Sequence, residues 1–124
     1  MSRLKMINGG NINIINGPDE MLLAGLSMGA DGGIGSTYNV MPDKYVALYN
    51  AFLAGDIKKA RDIQYQINKV VHVLTKNQTT IATIKATLTL FGIDMGNTVF
   101  PNTRFSKQDM LMLKNDLIEA GLSL

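Results

Sequence analysis

The sequence contains no cysteine, and this absence excludes two kinds of structural support. Neither disulfide bonds nor a thiolate metal site can form, so a reducing cytoplasm is the simplest setting for the chain. The chain also has little net charge, because 12 lysines and arginines against 10 aspartates and glutamates leave a formal net charge of +2. A surplus this small does not argue for nucleic acid or an anionic membrane as a partner.

Long apolar runs and repeats are missing as well. No stretch approaches the roughly 20 apolar residues that span a bilayer, and residues 1–10 lack the apolar centre of a signal peptide. The chain shows no internal repeat and no low-complexity tract. Its 124 residues therefore predict one soluble, cytoplasmic globular domain.

What the sequence does contain is a strong pattern between residues 11 and 39. Asn11–Asn16 carries a β-branched run that is typical of a buried strand. Gly17-Pro18 ends this strand, and proline suits the first turn of a helix because its missing N–H costs nothing there. Asp19 and Glu20 suit the positive end of the helix dipole. An acidic pair in a first helical turn is ordinarily dipole compensation, so these residues alone leave ligand binding and a structural role both open.

The predicted helix ends at Gly29, and a second strand follows it. Ala30–Thr37 is unusually rich in glycine for a strand, so propensity alone does not explain it. Strand, helix and strand in this order indicate a βαβ crossover with parallel strands. The loops after the strands of such units are where these folds place their ligands.

Two motifs in this stretch carry a family resemblance. NGPDE at residues 16–20 and GADGGIGSTYN at residues 29–39 resemble the seventh and eighth strands of the N-acetylneuraminate lyase family, class I aldolases on a (β/α)8 barrel. The resemblance extends over nearly the whole chain, because the helices after Asn39 follow the family's C-terminal order. The related dihydrodipicolinate synthases share the architecture but usually show a different acidic pair and no GIGSTYN. A dihydrodipicolinate synthase-like lyase is the alternative within the family.

The resemblance implies an α/β fold that is mostly helical by content. It would be the C-terminal part of a TIM (β/α)8 barrel, with the last two parallel strands and their helices, plus a three-helix C-terminal extension. Residues 1–55 would form the partial barrel and residues 56–124 the extension. A complete barrel of this type needs about 250 residues.

Capping signals and apolar periodicity predict the helices of the chain. The first residues are the tail of a helix that ends at Gly9-Gly10, and three further helices are predicted: Pro42 to Gly55, Asp56 to about Lys76, and Thr79 or Thr80 to Gly92. A loop over residues 93–105 contains Pro101, and a capping box at Ser106–Asp109 then opens a last helix that ends at Gly121.

The resemblance also implies a ligand site. Gly17, Asp19, Glu20 and Ser36 match the family positions that hold the sugar hydroxyls of open-chain sialic acid. Glycine can adopt a backbone conformation that a side chain would forbid and lets the main chain approach a ligand closely. Paired carboxylates suit several hydroxyls of a polyol. No metal and no organic cofactor is implied, because a Schiff-base lysine acts as the electron sink in this family.

The covalent machinery of the family falls outside the matched stretch. The Schiff-base lysine belongs to strand six, the relay tyrosine to strand five, and the pyruvate-carboxylate loop to strand two, all upstream of strand seven. Lys5 falls in the helix that follows strand six, and Tyr38 is not the relay tyrosine by alignment. No catalytic residue is therefore assigned, and the isolated chain is expected to lack aldolase activity. His72, the only histidine, favours a surface or packing role because no nucleophile or metal partner is in view.

Three interpretations of the chain remain open. In the first, the chain is part of a working lyase that an N-terminal half completes. In the second, it is a non-catalytic interaction or scaffold module. In the third, it is the product of a truncated gene. The expected partners are the sugar portion of sialic acid, once a full barrel is present, and either further copies of the chain or an N-terminal half.

Overall fold

The structure is a computed structural model and describes residues 2–76, 79–100, 102 and 104–124. Helices dominate it, and a two-stranded sheet lies near the start. In chain order the elements are α1 (Ser2–Lys5), β1 (Ile15–Asn16), α2 (Leu22–Ser27), β2 (Gly32–Gly33), α3 (Pro42–Leu53), α4 (Ile57–Thr75), α5 (Thr80–Leu90) and α6 (Lys107–Glu119). Each strand leads into a loop that contains a short 3-10 turn: the acidic turn (Asp19–Met21) after β1 and the serine turn (Ser36–Asn39) after β2.

The predicted βαβ crossover is confirmed. β1 and β2 pair in parallel, with Ile15 opposite Gly32 and Asn16 opposite Gly33. The connection between them runs through the acidic turn and α2. This order places the carboxyl ends of both strands at the same end of the sheet.

Both strands are much shorter than predicted. Of the predicted strand Asn11–Asn16 only the last two residues pair, and of Ala30–Thr37 only two. One ladder bond flanks each end of the pair, from the Asp31 N–H to the Ile14 carbonyl at 2.8 Å and from the Ile34 N–H to the Asn16 carbonyl at 3.0 Å. Pairing ends after Ile34 because the chain turns into the serine turn, which the glycine-rich pattern did not predict.

The helix after β1 also begins later than predicted. Pro18 is extended, with φ −65° and ψ 118°, so it precedes the helix instead of opening its first turn. Asp19 and Glu20 form the acidic turn, and α2 starts at Leu22. The Asn16 side chain donates from Nδ2 to the Pro18 carbonyl at 2.7 Å and holds the chain in this path.

The first residues depart from a simple helix tail. α1 ends at Lys5, and a 3-10 turn over Ile7–Gly10 follows. Within that turn Asn8 and Gly9 have φ of 51° and 63°, which places both in the left-handed region. The glycine C-cap signal is thus real, but the helix it was expected to close has already ended.

The later helices agree with their predictions to within a few residues. Asp56 caps α4, since its Oδ1 accepts a hydrogen bond from the Lys59 N–H at 2.9 Å. Ser106 and Asp109 form the predicted capping box at the start of α6, each side chain bonded to the other residue's backbone N–H. Pro101 of the predicted loop lies outside the described residues.

α4 is the central element of the core. It packs against the acidic turn, α2, α3, α5 and α6. The side chains that lose all contact with solvent come mainly from α3, α4 and α6: Leu48, Ile67, Val70, Leu74 and Leu117. The same hydrophobic cluster includes residues before and after position 56. The division into a partial barrel (1–55) and a helical extension (56–124) stays a prediction. Among the described helices, none has the length and apolar character needed to cross a membrane.

Candidate functional site

The loops that follow β1 and β2 lie side by side. Gly17 and the acidic turn come after β1, and Gly35 and the serine turn come after β2. The two turns are in contact. The structure therefore brings the segments that carry all four predicted site residues to the carboxyl end of the sheet, where parallel α/β units form their ligand sites.

Asp19 joins the two loops through its carboxylate. Its Oδ2 accepts hydrogen bonds from the Thr37 N–H at 2.9 Å and from the Thr37 Oγ1 at 2.6 Å. Thr37 Oγ1 is also 2.6 Å from the Tyr45 Oη, so the chain of hydrogen bonds continues into α3. Asp19 is only 8% exposed and Thr37 1%. A buried carboxylate needs such partners, because burial without them is costly. Asp19 therefore has a structural role in addition to the ligand contact predicted for it.

Gly35 makes room for this arrangement. A Cβ at Gly35 would collide with the Asp19 carboxylate. Its backbone is extended, with φ −167°, a conformation open to any residue, so space and not backbone freedom requires the glycine. Space is short at Gly33 as well, because a Cβ there would meet the Tyr38 hydroxyl and the Leu22 side chain.

The other three predicted residues are more accessible than Asp19. Glu20 is exposed and Ser36, the first residue of the serine turn, is half-buried. Gly17 is exposed, and a Cβ there would meet nothing within 4 Å. Its φ is not in the left-handed region, so the expectation that Gly17 needs glycine's conformational freedom is wrong. The open space beside Gly17 leaves room for a ligand to approach the main chain.

Two tyrosines, Tyr38 of the serine turn and Tyr45 of α3, pack against each other. The rings of Tyr38 and Tyr45 stack, with centroids 3.7 Å apart and planes 5° from parallel. The Tyr38 hydroxyl is buried and has no hydrogen-bond partner among the described residues. Burial, and then the negative charge of Asp19, raise the pKa of Tyr38 to about 12. Burial also raises the pKa of Tyr45, against a smaller opposing effect of its hydrogen bond with Thr37.

The sequence reasoning missed three residues that build this site. Thr37 was inside the GSTYN motif but received no role, and Tyr45 fell within the predicted helix from Pro42 to Gly55, also without a role in the site. Gln64 is 6% exposed and accepts a hydrogen bond from the Leu23 N–H at 2.9 Å. A signal for it existed, because Gln64 interrupts the apolar stripe of α4 between Ala60 and Ile67.

Lys5 lies at the opposite end of the sheet from this site. Its Nζ is 3.1 Å from Asp31 Oδ2 and donates to the Ile12 carbonyl at 3.2 Å. Asp31 Oδ2 also accepts from the Ile14 N–H at 2.7 Å. That hydrogen bond, followed by the one from Lys5, lowers the pKa of Asp31. The residues that Lys5 contacts precede β1 and β2, and the expectation that Lys5 does not replace the Schiff-base lysine stays a prediction.

A cleft of about 360 Å³ lies beside β2 and α3, and its lining includes Gly33, Tyr38, Tyr45 and Tyr49. None of the four predicted site residues lines it. Within the described residues no group of three or more histidine, cysteine, aspartate or glutamate side chains is placed to hold a metal ion. His72 is exposed on α4.

Comparison with known proteins finds N-acetylneuraminate lyases among the relatives of this chain. The chain is 41% identical over 101 residues to the N-acetylneuraminate lyase of Rhizobium meliloti, a match covering 82% of this chain and 33% of that protein. It is 35% identical over 112 residues to the N-acetylneuraminate lyase of Mediterraneibacter gnavus, covering 89% of this chain and 36% of that protein. The chain thus spans about a third of the length of the curated relatives it matches.

Solved structures agree with these relatives. The fold superposes on the Ruminococcus gnavus sialic acid aldolase with a TM-score of 0.87 and 32% identity, over 96% of this chain and 40% of that one. The Proteus mirabilis N-acetylneuraminate lyase gives a TM-score of 0.87 and 28% identity, over 98% of this chain and 41% of that one. The fold is therefore that of part of a TIM-barrel lyase. The family model for the dihydrodipicolinate synthetase family matches residues 1–120, and the chain belongs to that family.

Proposed function

We propose that this chain forms the sugar-binding side of an N-acetylneuraminate lyase-type aldolase site. The observation that carries the proposal is the buried hydrogen bonding between Asp19 and Thr37. It ties the loops after two parallel strands together and leaves Glu20 exposed beside an open Gly17. The similarity to proteins named as N-acetylneuraminate lyases supports the choice of ligand.

Each predicted residue has a distinct task in this proposal. The Glu20 carboxylate accepts hydrogen bonds from sugar hydroxyls, and the Ser36 hydroxyl donates or accepts one. Gly17 lets the ligand lie close to the main chain, where a larger side chain would stand. Asp19 holds the two loops together through its Oδ2 atom, which bonds Thr37, and its Oδ1 atom is left for a ligand.

The reaction proposed for the assembled barrel is reversible cleavage of N-acetylneuraminate to N-acetylmannosamine and pyruvate. The imine with pyruvate would form on the strand-six lysine, which the family resemblance places upstream of the matched stretch. We place the assembled protein in the cytoplasm, as the absence of cysteine favours. Either an N-terminal half or further copies of the chain would cover the sheet edges.

A chimera tests the sugar side of this proposal. This chain would replace the matching C-terminal third of the Rhizobium meliloti lyase, and cleavage of N-acetylneuraminate would be followed. Glu20→Ala and Ser36→Ala should each lower kcat/KM for N-acetylneuraminate. The expected decrease corresponds to a loss of about 1–3 kcal/mol of binding free energy, because each substitution leaves a ligand group unpaired. Trapping of the pyruvate imine by borohydride should be unchanged. Glu119→Ala, at an exposed position of α6, is the control. Equal loss of imine formation would mean that these residues support the fold and not the sugar.

The isolated chain tests whether the imine-forming lysine lies outside this chain. Mixed with pyruvate and borohydride, it should gain no stoichiometric adduct on a single lysine, because Lys5 is engaged by Asp31 at the far end of the sheet. Intact mass spectrometry measures this. One pyruvate per chain on one lysine, above the background of surface lysines, would contradict the proposal.

A further inference from the structure

Gln64 of α4 holds the backbone around the acidic turn. Its Oε1 accepts a hydrogen bond from the Leu23 N–H at 2.9 Å, and its Nε2 donates to the Asp19 carbonyl at 3.4 Å. These partners are 41 and 45 residues away in sequence. Gln64 is 6% exposed, so both of its polar atoms need partners. A glutamine amide is one of the few side chains that can both donate and accept in this way.

Asn68 extends the same contact by one helical turn. Its Oδ1 accepts from Gln64 Nε2 at 2.9 Å, and its Nδ2 donates to the Glu20 carbonyl at 3.3 Å. The spacing of four residues places the two amides on one face of α4, directly against the acidic turn. We call Gln64 and Asn68 the amide pair.

We infer that the amide pair consists of positioning residues, which orient the exposed Glu20 carboxylate for a polyol ligand. This rests on the proposed function. The carbonyls of Asp19 and Glu20 are both bonded to the amide pair, so the backbone that carries the Glu20 side chain is held from α4 before any ligand arrives. A turn that is already ordered loses less entropy on binding, and the affinity rises accordingly.

The alternative is that the amide pair serves stability alone, since unpaired amides in the core are costly in any protein. The two roles differ in a measurable way. A purely structural pair would, when removed, lower the free energy of unfolding and leave the affinity of the folded protein unchanged. A positioning pair changes the affinity at temperatures where the variant is fully folded.

The experiment uses the chimera with the Rhizobium meliloti lyase, because the sugar site is expected only in a full barrel, and N-acetylmannosamine is the probe. Gln64→Met keeps the length of the side chain and removes its hydrogen bonds, whereas Asn68→Asp keeps the shape and the acceptor for Gln64 but cannot donate to the Glu20 carbonyl. Gln66→Met, at an exposed position of the same helix, is the matched control. Two quantities are measured: the hydrogen exchange rate of the Leu23 amide and the dissociation constant of the sugar.

Gln64→Met should speed exchange at Leu23 by about tenfold, and both amide variants should weaken sugar binding by about fivefold, the effect of one lost hydrogen bond. Gln66→Met should change neither quantity. Leu117→Ala, a core substitution in α6, should lower stability without changing the affinity of the folded chain. If Gln64→Met does not fold, Asn68→Asp decides.

Two results would overturn the inference, and they are distinguishable. If the unsubstituted chimera binds the sugar and the amide variants bind it equally well, the proposed function stands and the positioning role is wrong. If the unsubstituted chimera shows no sugar binding while Leu23 exchange still responds to Gln64→Met, the sugar site itself is wrong and the inference falls with it.

Discussion

Two glycines in neighbouring loops should differ in their sensitivity to the same substitution. Gly35→Ala should lower the free energy of unfolding by about 1–3 kcal/mol, because the new methyl group must displace the Asp19 carboxylate from Thr37. Gly17→Ala should change stability by less than about 0.5 kcal/mol, since the space beside Gly17 is open. Urea denaturation measures both. A neutral Gly35→Ala would mean that the buried bond between Asp19 and Thr37 does not hold the loops together.

The stacked tyrosines form a second matched pair. Tyr38→Phe should raise the free energy of unfolding by about 1 kcal/mol, because it removes a buried hydroxyl without a partner among the described residues. Tyr45→Phe should lower it by about the same amount, because it breaks the 2.6 Å contact with the Thr37 hydroxyl. Chemical denaturation at neutral pH compares the two variants. A loss of stability in Tyr38→Phe as large as that in Tyr45→Phe would contradict the assignment.

Tyr38 also predicts a loss of stability at alkaline pH. Its pKa is raised from the usual 10.0 to about 12, so the folded state favours the neutral phenol. The contribution is fully present below pH 10 and is lost as the pH rises towards about 12, because the unfolded chain ionises first. Denaturation curves between pH 9 and 12 should show this fall, and Tyr38→Phe should make it shallower. Tyr65→Phe, at an exposed position of α4, should leave the slope unchanged.

Among the helices, α6 depends most visibly on its cap. Ser106→Ala removes the acceptor for the Asp109 N–H and should cost about 1 kcal/mol of stability. The Ser106 hydroxyl, and then its N–H, hold the pKa of Asp109 below its usual value. The stability from this bond is therefore present at neutral pH and lost as acid protonates Asp109.

The control for α6 is Ser123→Ala, at an exposed position beyond the helix. Denaturation at pH 7 and pH 3 measures the difference between the two alanine variants. We expect the cost of Ser106→Ala to shrink at the lower pH, because the stability that comes from a lowered pKa of Asp109 declines as the pH falls below the usual aspartate value of 3.8. An equal cost at both values would show that Asp109 contributes nothing to the cap.

The whole molecule leaves both edges of its two-stranded sheet unpaired within the described residues. Apolar side chains in and next to the strands are exposed, with Ile15 of β1 at 51% and Ile34, which follows β2, at 71%. Open edges with exposed isoleucines favour association with another chain. We predict that the purified chain self-associates, and that Ile34→Ser weakens the association. Sedimentation over a concentration series measures this.

Leu53 provides the control for the association experiment. It is 65% exposed at the end of α3 and belongs to neither strand, so Leu53→Ser should leave the association unchanged. A monomer at high concentration, with the amides of β1 and β2 protected from hydrogen exchange, would contradict the prediction. Such a result would mean that the helices alone make the short sheet stable.

Local signals in the sequence were sufficient for the order of elements and for the ends of the later helices. The cap at Asp56 and the capping box at Ser106 involve residues three positions apart, so they can be recognised without a tertiary structure. The βαβ order follows equally from the strand and helix patterns on either side of Gly17-Pro18. The motifs NGPDE and GIGSTYN identified the family, which the match over residues 1–120 confirms. The ligand contacts of Gly17, Asp19, Glu20 and Ser36 stay a prediction.

Tertiary structure decided how the two motifs fit together. Thr37 bonds Asp19 across 18 positions, and Gln64 reaches the Asp19 carbonyl across 45, distances at which no local pattern indicates a partner. Strand length was likewise a tertiary result, because a strand extends only as far as its neighbour supplies backbone groups to pair with. The same holds for burial: Asp19 and Gln64 are polar residues whose enclosure depends on the packing of α4 against the acidic turn. Spacing can place Gln64 on the apolar stripe of α4, but residue type and spacing cannot identify what encloses it, since enclosure arises only when distant segments meet.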